Sequence, residues 1–253
     1  MAESPIISVV IPIYNNAQYI EQAIKSVLAQ KVALEIIIID DCSTDFLDEV
    51  VIKYSKLPNI TYIKNNTNLG VAKSRNVGVN ISKGKYIAYL DADDWWQPTK
   101  LEKQLKILES NQYALCYTGR ELVKSDGTGT GKIIKAKEVM DYDGLLLHNC
   151  IPCSSVLLPA NIAKDIPMSN DESHEDFINW LRILKKYGQA YGINEPLLVY
   201  RKSENGKSRN HLKSARMTYG VYRVIEFGAV KSFILTCSHL MHAIIKYKTN
   251  KKM

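Results

Sequence analysis

Three aspartates, Asp91, Asp93 and Asp94, fall within four residues directly after the apolar run Tyr86 to Leu90. Carboxylates this close repel one another unless a cation or hydrogen-bond donors offset the charge. All-oxygen ligation suits Mg²⁺ or Mn²⁺, ions that take one or two protein carboxylates and leave their other positions to water and substrate phosphate. The loop lacks the glycine and distal glutamate of an EF-hand. Aspartates at strand ends also serve turns and helix caps, so the cluster alone carries both readings. Asp40-Asp41 ends an earlier aliphatic run, and its carboxylates can accept hydrogen bonds from a base N–H or a sugar hydroxyl. Tyr14, closing the first apolar run, offers a ring face for stacking, and Arg75, one helical turn past Gly70, can reach a phosphate. Far along the chain, Glu175-Asp176 opens a helical pattern. The helix macrodipole favours acids there, and a carboxylate facing a diphosphate leaving group is also suited to take a proton from an attacking hydroxyl.

The elements that must position these groups alternate. Ile6 to Ile13 reads as a buried strand, Asn15-Asn16 as a cap, and Ile20, Ala23, Ile24, Val27 and Leu28 as one face of a helix. Leu34 to Ile39 is a second strand, followed by a helix through about Tyr54. Ile60 to Ile63 is a third strand, residues 71 to 82 form a helix stopped at Lys83-Gly84, and Tyr86 to Leu90 is a fourth strand. Strands aliphatic on both faces and separated by helices predict a mostly parallel sheet covered on both sides, with ligands collecting beyond the strands' carboxyl ends. All the polar clusters fall at those ends. No G-x-G-x-x-G follows the first strand, which excludes a Rossmann phosphate loop, and the glycines of Asp126-Gly-Thr-Gly-Thr-Gly predict a hairpin turn.

A chain of 253 residues, 46% hydrophobic and 23% charged, is a globular composition of one main domain plus an appendage. The longest uncharged stretch, Gly144 to Ala163, contains two prolines and cannot be a spanning helix, and no basic leader precedes Ile6, so the expected location is the cytoplasm. Five cysteines, Cys42, Cys116, Cys150, Cys153 and Cys237, make neither a disulfide framework nor metal knuckles and are read as free thiols. The net charge of +7 is uneven: residues 201–253 hold 12 Lys/Arg against 2 Asp/Glu, and residues 1–200 hold 21 against 24. Such a tail suits something anionic: nucleic acid, phospholipid or a pyrophosphate. Within it Val230, Phe233, Ile234, Cys237, Leu240, Met241, Ile244 and Ile245 recur at helical spacing, flanked by Lys231, Lys246 and Lys248. That face fits an anionic membrane, its own domain or a second subunit.

In order and spacing, Val9-Val10-Ile11-Pro12-Ile13-Tyr14-Asn15, Ile39-Asp40-Asp41-Cys42-Ser43-Thr44-Asp45, Asn68-Leu69-Gly70 through Arg75-Asn76, Asp91-Ala92-Asp93-Asp94 and Glu175-Asp176 with Trp180 resemble glycosyltransferase family 2 over about residues 6–201. The resemblance implies an α/β GT-A (nucleotide-diphospho-sugar transferase) fold over residues 1–205, with a basic amphipathic helical extension over residues 206–253. It implies nucleotide contacts from Pro12, Tyr14, Asp41, Arg75, Asp91 and Arg201, a Mn²⁺ or Mg²⁺ on Asp93, Asp176 as general base, and Trp180 with Glu175 at the acceptor pocket. Tyr200-Arg201 resembles the start of the family's loop over the pyrophosphate, with Ser203 where many members place a histidine.

The chain is further similar to bacterial members that build O-antigen or capsule repeat units. That likeness implies an inverting transfer of a hexose from a nucleotide sugar, expected to be a UDP-hexose, to a lipid-diphosphate-linked saccharide at the inner membrane face, with a homodimer open. Two rivals come from the residues. One is a basic nucleic-acid-binding module, with Tyr219, Tyr222 and Phe227 interleaved with Arg216 and Arg223. The other is a sugar nucleotidyltransferase, opposed by the absence of a Gly- and Lys-rich loop after the first strand. The transferase reading expects no nucleic acid partner.

Overall fold

A computed structural model describes residues 5–54, 56–169, 172–202 and 211–249; the 205/206 boundary and Ser203 lie outside them. The first half forms as the hydrophobic pattern dictates. β1 (Ile7–Ile13), β2 (Leu34–Asp40), β3 (Ile60–Lys64) and β4 (Tyr86–Tyr89) alternate with α1 (Ala17–Leu28), α2 (Leu47–Val51) and α3 (Val71–Ile81). All three pairings among these strands, β1 with β2, β1 with β4 and β2 with β3, are parallel. The chain runs from β1 outward to β2 and β3, then returns to place β4 on the other side of β1. This reversal opens a crevice at the carboxyl ends of β1 and β4. Pro12, buried in β1, pairs with Ile39 and lies past the end of the β1–β4 ladder, which stops at Val10–Tyr89. A residue without an N–H is tolerated there.

The second half is mixed rather than parallel. After β5 (Trp95–Trp96) and α4 (Lys100–Ser110) come β6 (Leu115–Val123) and β7 (Gly129–Ile134), the hairpin expected around the alternating glycines. β8 (Val139–Met140), α5 (Tyr142–Leu147), β9 (Leu157–Pro159), α6 (Ala160–Asp165), α7 (Glu175–Tyr187) and β10 (Ala190–Arg201) complete the sheet, ordered β3-β2-β1-β4-β9-β6-β10-β5. β9 runs antiparallel to both β4 and β6, joining the two halves.

Alternation along β1 divides the core between the two faces of the sheet. Ile7, Val9, Ile11 and Ile13 pack with Ile20, Ile24 and Val27 of α1 and Leu101 of α4, while Val10 joins Tyr89, Phe177 and Trp180 on the opposite face. Leu28 is exposed and is not part of the buried face of α1. The cap expected from Asn16 is absent; Asp45 Oδ2, from the loop after β2, accepts instead from Ala17 N.

Two helices follow, α8 (His211–Val224) and α9 (Ala229–Thr249). α8 buries Val221 and Tyr222 in the same cluster as Phe177, and the Tyr222 hydroxyl donates to Leu146 O at 2.6 Å. The burial of Tyr222 removes it from the stacking surface that the nucleic-acid reading required.

Candidate functional site

The loops after β1, β2 and β3 are held together by side chains aimed at one another's backbone. Asn15 N donates to Ser43 Oγ, and Thr44 N donates back to Asn15 Oδ1. Asn15 (φ 49°) and Cys42 (φ 68°) both occupy the left-handed region, as sharp turns at strand ends demand. Asp40 is fully buried and structural: Oδ1 accepts from Ser43 N and Oδ2 from Tyr62 Oη. Asp41 Oδ1 accepts from Leu69 N and Asn65 Nδ2, and Oδ2 from Gly70 N alone, which leaves that oxygen with acceptor capacity. Gly70, at φ 88°, adopts a backbone conformation that side chains disfavour, and so delivers its N–H to Asp41 as α3 begins. Tyr14 stands 48% exposed beside this floor, its ring open to a flat ligand.

Arg75, on the first turns of α3, is nearly enclosed and bridges two acidic elements. Its Nη2 lies 2.6 Å from Asp91 Oδ1 and its Nη1 3.0 Å from Glu175 Oε1. One guanidinium therefore joins the carboxylate loop after β4 to the N-terminus of α7. Asp91, Glu175 and Asp176 thus gather around Arg75, and Asp93 lies beside Asp91. Arg75 and Glu175 serve as internal braces, and Glu175 is buried rather than open to an acceptor.

Burial and repulsion set the acid strengths. Desolvation first, then the Glu175 charge, push Asp176 up to about 7, with Arg75 pulling the other way. Asp93, also desolvated and beside Asp91, is pushed up to about 6. Asp94 is raised strongly by burial and accepts from Arg201 N at 2.9 Å.

The donor set around Asp93 fits a divalent cation. Its carboxylate is destabilised by burial and by a neighbouring acid, whereas Asp91 is partly committed to Arg75 and Asp94 to the Arg201 backbone. Among the described residues no group of three or more His, Cys, Asp or Glu is arranged to hold a metal ion.

Two further expected ligand contacts are corrected. Arg201 is 5% exposed and each of its three guanidinium nitrogens is engaged: Nε donates to Asp93 O, Nη1 to Ser125 O and Nη2 to Gln22 Oε1, and the plane stacks on Tyr19 and Trp95. It clamps the Asp93 backbone instead of reaching over a pyrophosphate. Trp180 is 0% exposed against Tyr89 and belongs to the core, not to an acceptor pocket. Its position one turn after Asp176 holds the helix rather than the ligand.

A second layer of support was not legible beforehand. Lys100 is fully buried, with Nζ 4.0 Å over the Trp96 ring and 2.7 Å from Gln104 Oε1. Trp96 Nε1 donates to Ser154 O, Gln104 Nε2 donates to Ser155 O, and Asp91 N donates to Ser154 Oγ. This chain of contacts fixes the carboxylate loop from below. Its only signal in the sequence is a lysine opening a helix, four residues before Gln104 on the same face, which reads equally as a solvated residue. The five cysteines are free, as expected.

Comparison with known proteins places the chain among glycosyltransferases. The chain is 39% identical over 226 residues to a putative teichuronic acid biosynthesis glycosyltransferase, TuaG, of Bacillus subtilis (strain 168), covering 88% of this chain and 89% of that protein. It is 32% identical over 243 residues to WfaP of Escherichia coli, a UDP-Glc:alpha-D-GlcNAc-diphosphoundecaprenol beta-1,3-glucosyltransferase, covering 96% and 95%. Among solved structures, S. aureus TarS 1-349 in complex with UDP-GlcNAc superposes with a TM-score of 0.72 at 18% identity, over 92% of this chain and 71% of that one. A Pyrobaculum calidifontis mannosyltransferase in complex with GDP-Man and Mn²⁺ gives 0.69 at 16% identity, over 96% and 76%. These two likenesses show the GT-A fold. Residues 8–160 match the family model described as glycosyl transferase family 2. Fold, family model and full-length relatives agree that the chain belongs to glycosyl transferase family 2 and is a glycosyltransferase.

Proposed function

We propose that this enzyme transfers a hexose, with inversion, from a UDP-sugar to a saccharide carried on a lipid diphosphate in bacterial surface polysaccharide synthesis. The observation that carries the reading is the Arg75 bridge, which brings the Asp91–Asp93 loop and the Asp176 end of α7 to one place. The nature of the acceptor is supported by the relatives named for undecaprenol-diphosphate sugars, WfaP and WfgD.

In this reading Tyr14 stacks on the base, Asp41 accepts from the base N–H, Pro12 shapes the strand end beneath it, and Asp91 meets the ribose. Asp176 takes the proton of an acceptor hydroxyl. The oxygen forms its bond to the anomeric carbon from the face opposite the departing diphosphate, the carbon–oxygen bond to phosphate breaks, and the configuration inverts. Asp93 would hold a Mn²⁺ or Mg²⁺, whose chemistry when bound is to offset negative charge on the diphosphate. Burial places Asp176 where proton transfer near neutral pH is effective, since a base works best with its pKa close to the working pH.

Hydrolysis of a panel of UDP- and GDP-hexoses, with Mn²⁺, with Mg²⁺ and with chelator, tests this reading. Metal-dependent release of UDP from one UDP-hexose supports it. Turnover of no nucleotide sugar, together with nucleoside triphosphate consumption, points to the nucleotidyltransferase rival.

A further inference from the structure

α9 is mounted the reverse of the usual way. An amphipathic helix on a globular body normally turns its apolar stripe inward. Here Ser232 (0% exposed) and Thr236 (7%) face the body together with Leu235, which packs on the core, while Val230 (75%), Phe233 (64%), Ile234 (60%) and Met241 (62%) face out, with Cys237 exposed on the same stripe. The inward hydroxyls need no partner from the body: Thr236 Oγ1 donates to Ser232 O, and Ser232 Oγ to Phe227 O. The small inward side chains let α9 sit close, and His239 contacts both His148 and Phe177. Among the described residues the outward stripe is therefore an unpartnered apolar strip of the kind that marks an interaction surface.

Charge selects its occupant. The segment that carries the stripe, residues 201–253, has 12 basic against 2 acidic residues. A second copy docking through this same face would bring two such segments together, which like-charge repulsion opposes. An anionic phospholipid surface meets both properties, taking the apolar stripe among its acyl boundary and the cations at its headgroups. No helix among the described residues is long and apolar enough to cross a membrane, so contact would lie along the surface.

We infer that the outward face of α9, centred on Phe233, Ile234 and Met241, seats the protein on an anionic phospholipid surface. The inference adds a surface partner to the transferase reading and stands on helix geometry and charge alone.

The test is flotation of the full chain with vesicles of phosphatidylcholine, and of equimolar phosphatidylcholine and phosphatidylglycerol. The wild type should float with the anionic vesicles, less so as salt is raised, and remain behind with the neutral ones. The double substitution Phe233→Asp, Ile234→Asp should lower that partitioning by about tenfold or more, because it removes two apolar side chains from the membrane contact and adds repulsion. Unchanged circular dichroism and unchanged nucleotide binding would show that the variant is folded. Equal flotation of wild type and variant, or no flotation of either, overturns the inference. So does a dimer in sedimentation that the same substitutions dissociate, which would assign the stripe to a second copy. A protein that floats normally yet hydrolyses no nucleotide sugar would refute the transferase reading and leave the docking surface standing.

Discussion

Asp91 and Glu175 share the guanidinium of Arg75, at 2.6 and 3.0 Å. These acids come from distant parts of the chain, one from the loop after β4 and the other from the start of α7, so the bridge sets the distance between the loop proposed to face a diphosphate and the helix end proposed to hold the base.

Arg75→Met should therefore act on stability and catalysis together. Removing one partner of a nearly buried network leaves acids uncompensated, at a cost of about 3 kcal/mol, toward the lower end because Asp91 keeps contact with solvent. Urea unfolding should show the loss as a lower midpoint at unchanged slope. The rate–pH profile should shift upward, since Arg75 is the group that holds Asp176 down.

Asp176 carries a sign that separates function from stability. Its folded pKa, about 7, lies above the ordinary carboxylate value, so the stability it contributes is present at low pH and is lost as pH rises through 7. Catalysis requires the opposite, an ionised base, and the rate should climb with pH through the same range. Asp176→Asn should lower turnover by about 10²- to 10⁴-fold. The same variant should unfold at higher denaturant than the wild type above neutral pH. Full activity would reject the assignment.

Asp93→Asn removes one charge from the acidic loop without changing its shape. Calorimetric titration with UDP should show Mn²⁺-dependent affinity in the wild type and little metal dependence in the variant. Equal affinities with and without the ion in both proteins would remove Asp93 from the metal role.

Lys100 titrates inside the protein. Burial pushes it down to about 7, and its ordinary value lies well above, so the unfolded chain binds more protons between the two and stability rises with pH there. The gain is about 1.4 kcal/mol per pH unit above 7 for a fully buried amine. Lys100→Met should lack this slope. Comparing unfolding of the two proteins at about pH 7 and about pH 9 isolates the lysine from other titrating groups.

The sequence made the nucleotide half legible because its signals are local. Short continuous β-branched runs such as Ile36–Ile39 read as doubly covered strands, and the acids follow them directly. Glu175-Asp176 was visible as a helix start with Gly188 closing the helix. What escaped depended on distant partners. Arg201 looks like a free cation until Asp93, Ser125 and Gln22 are seen to occupy it. Three-residue β9 is too short to announce its antiparallel place between β4 and β6. For α9, periodicity revealed which side chains share a face but said nothing of which face turns inward, because Ser232 and Thr236 satisfy their own hydroxyls.

Phe177, the residue after Asp176, is met edge-on by Tyr222 of α8 and lies 5.5 Å from His239 of α9. The α8–α9 pair is thus a footing for Asp176, the proposed proton acceptor, and not a detachable anchor. Trimming it to free the enzyme from lipid would unseat the base in the same cut, whereas altering only outward side chains keeps surface attachment and bond making experimentally separable.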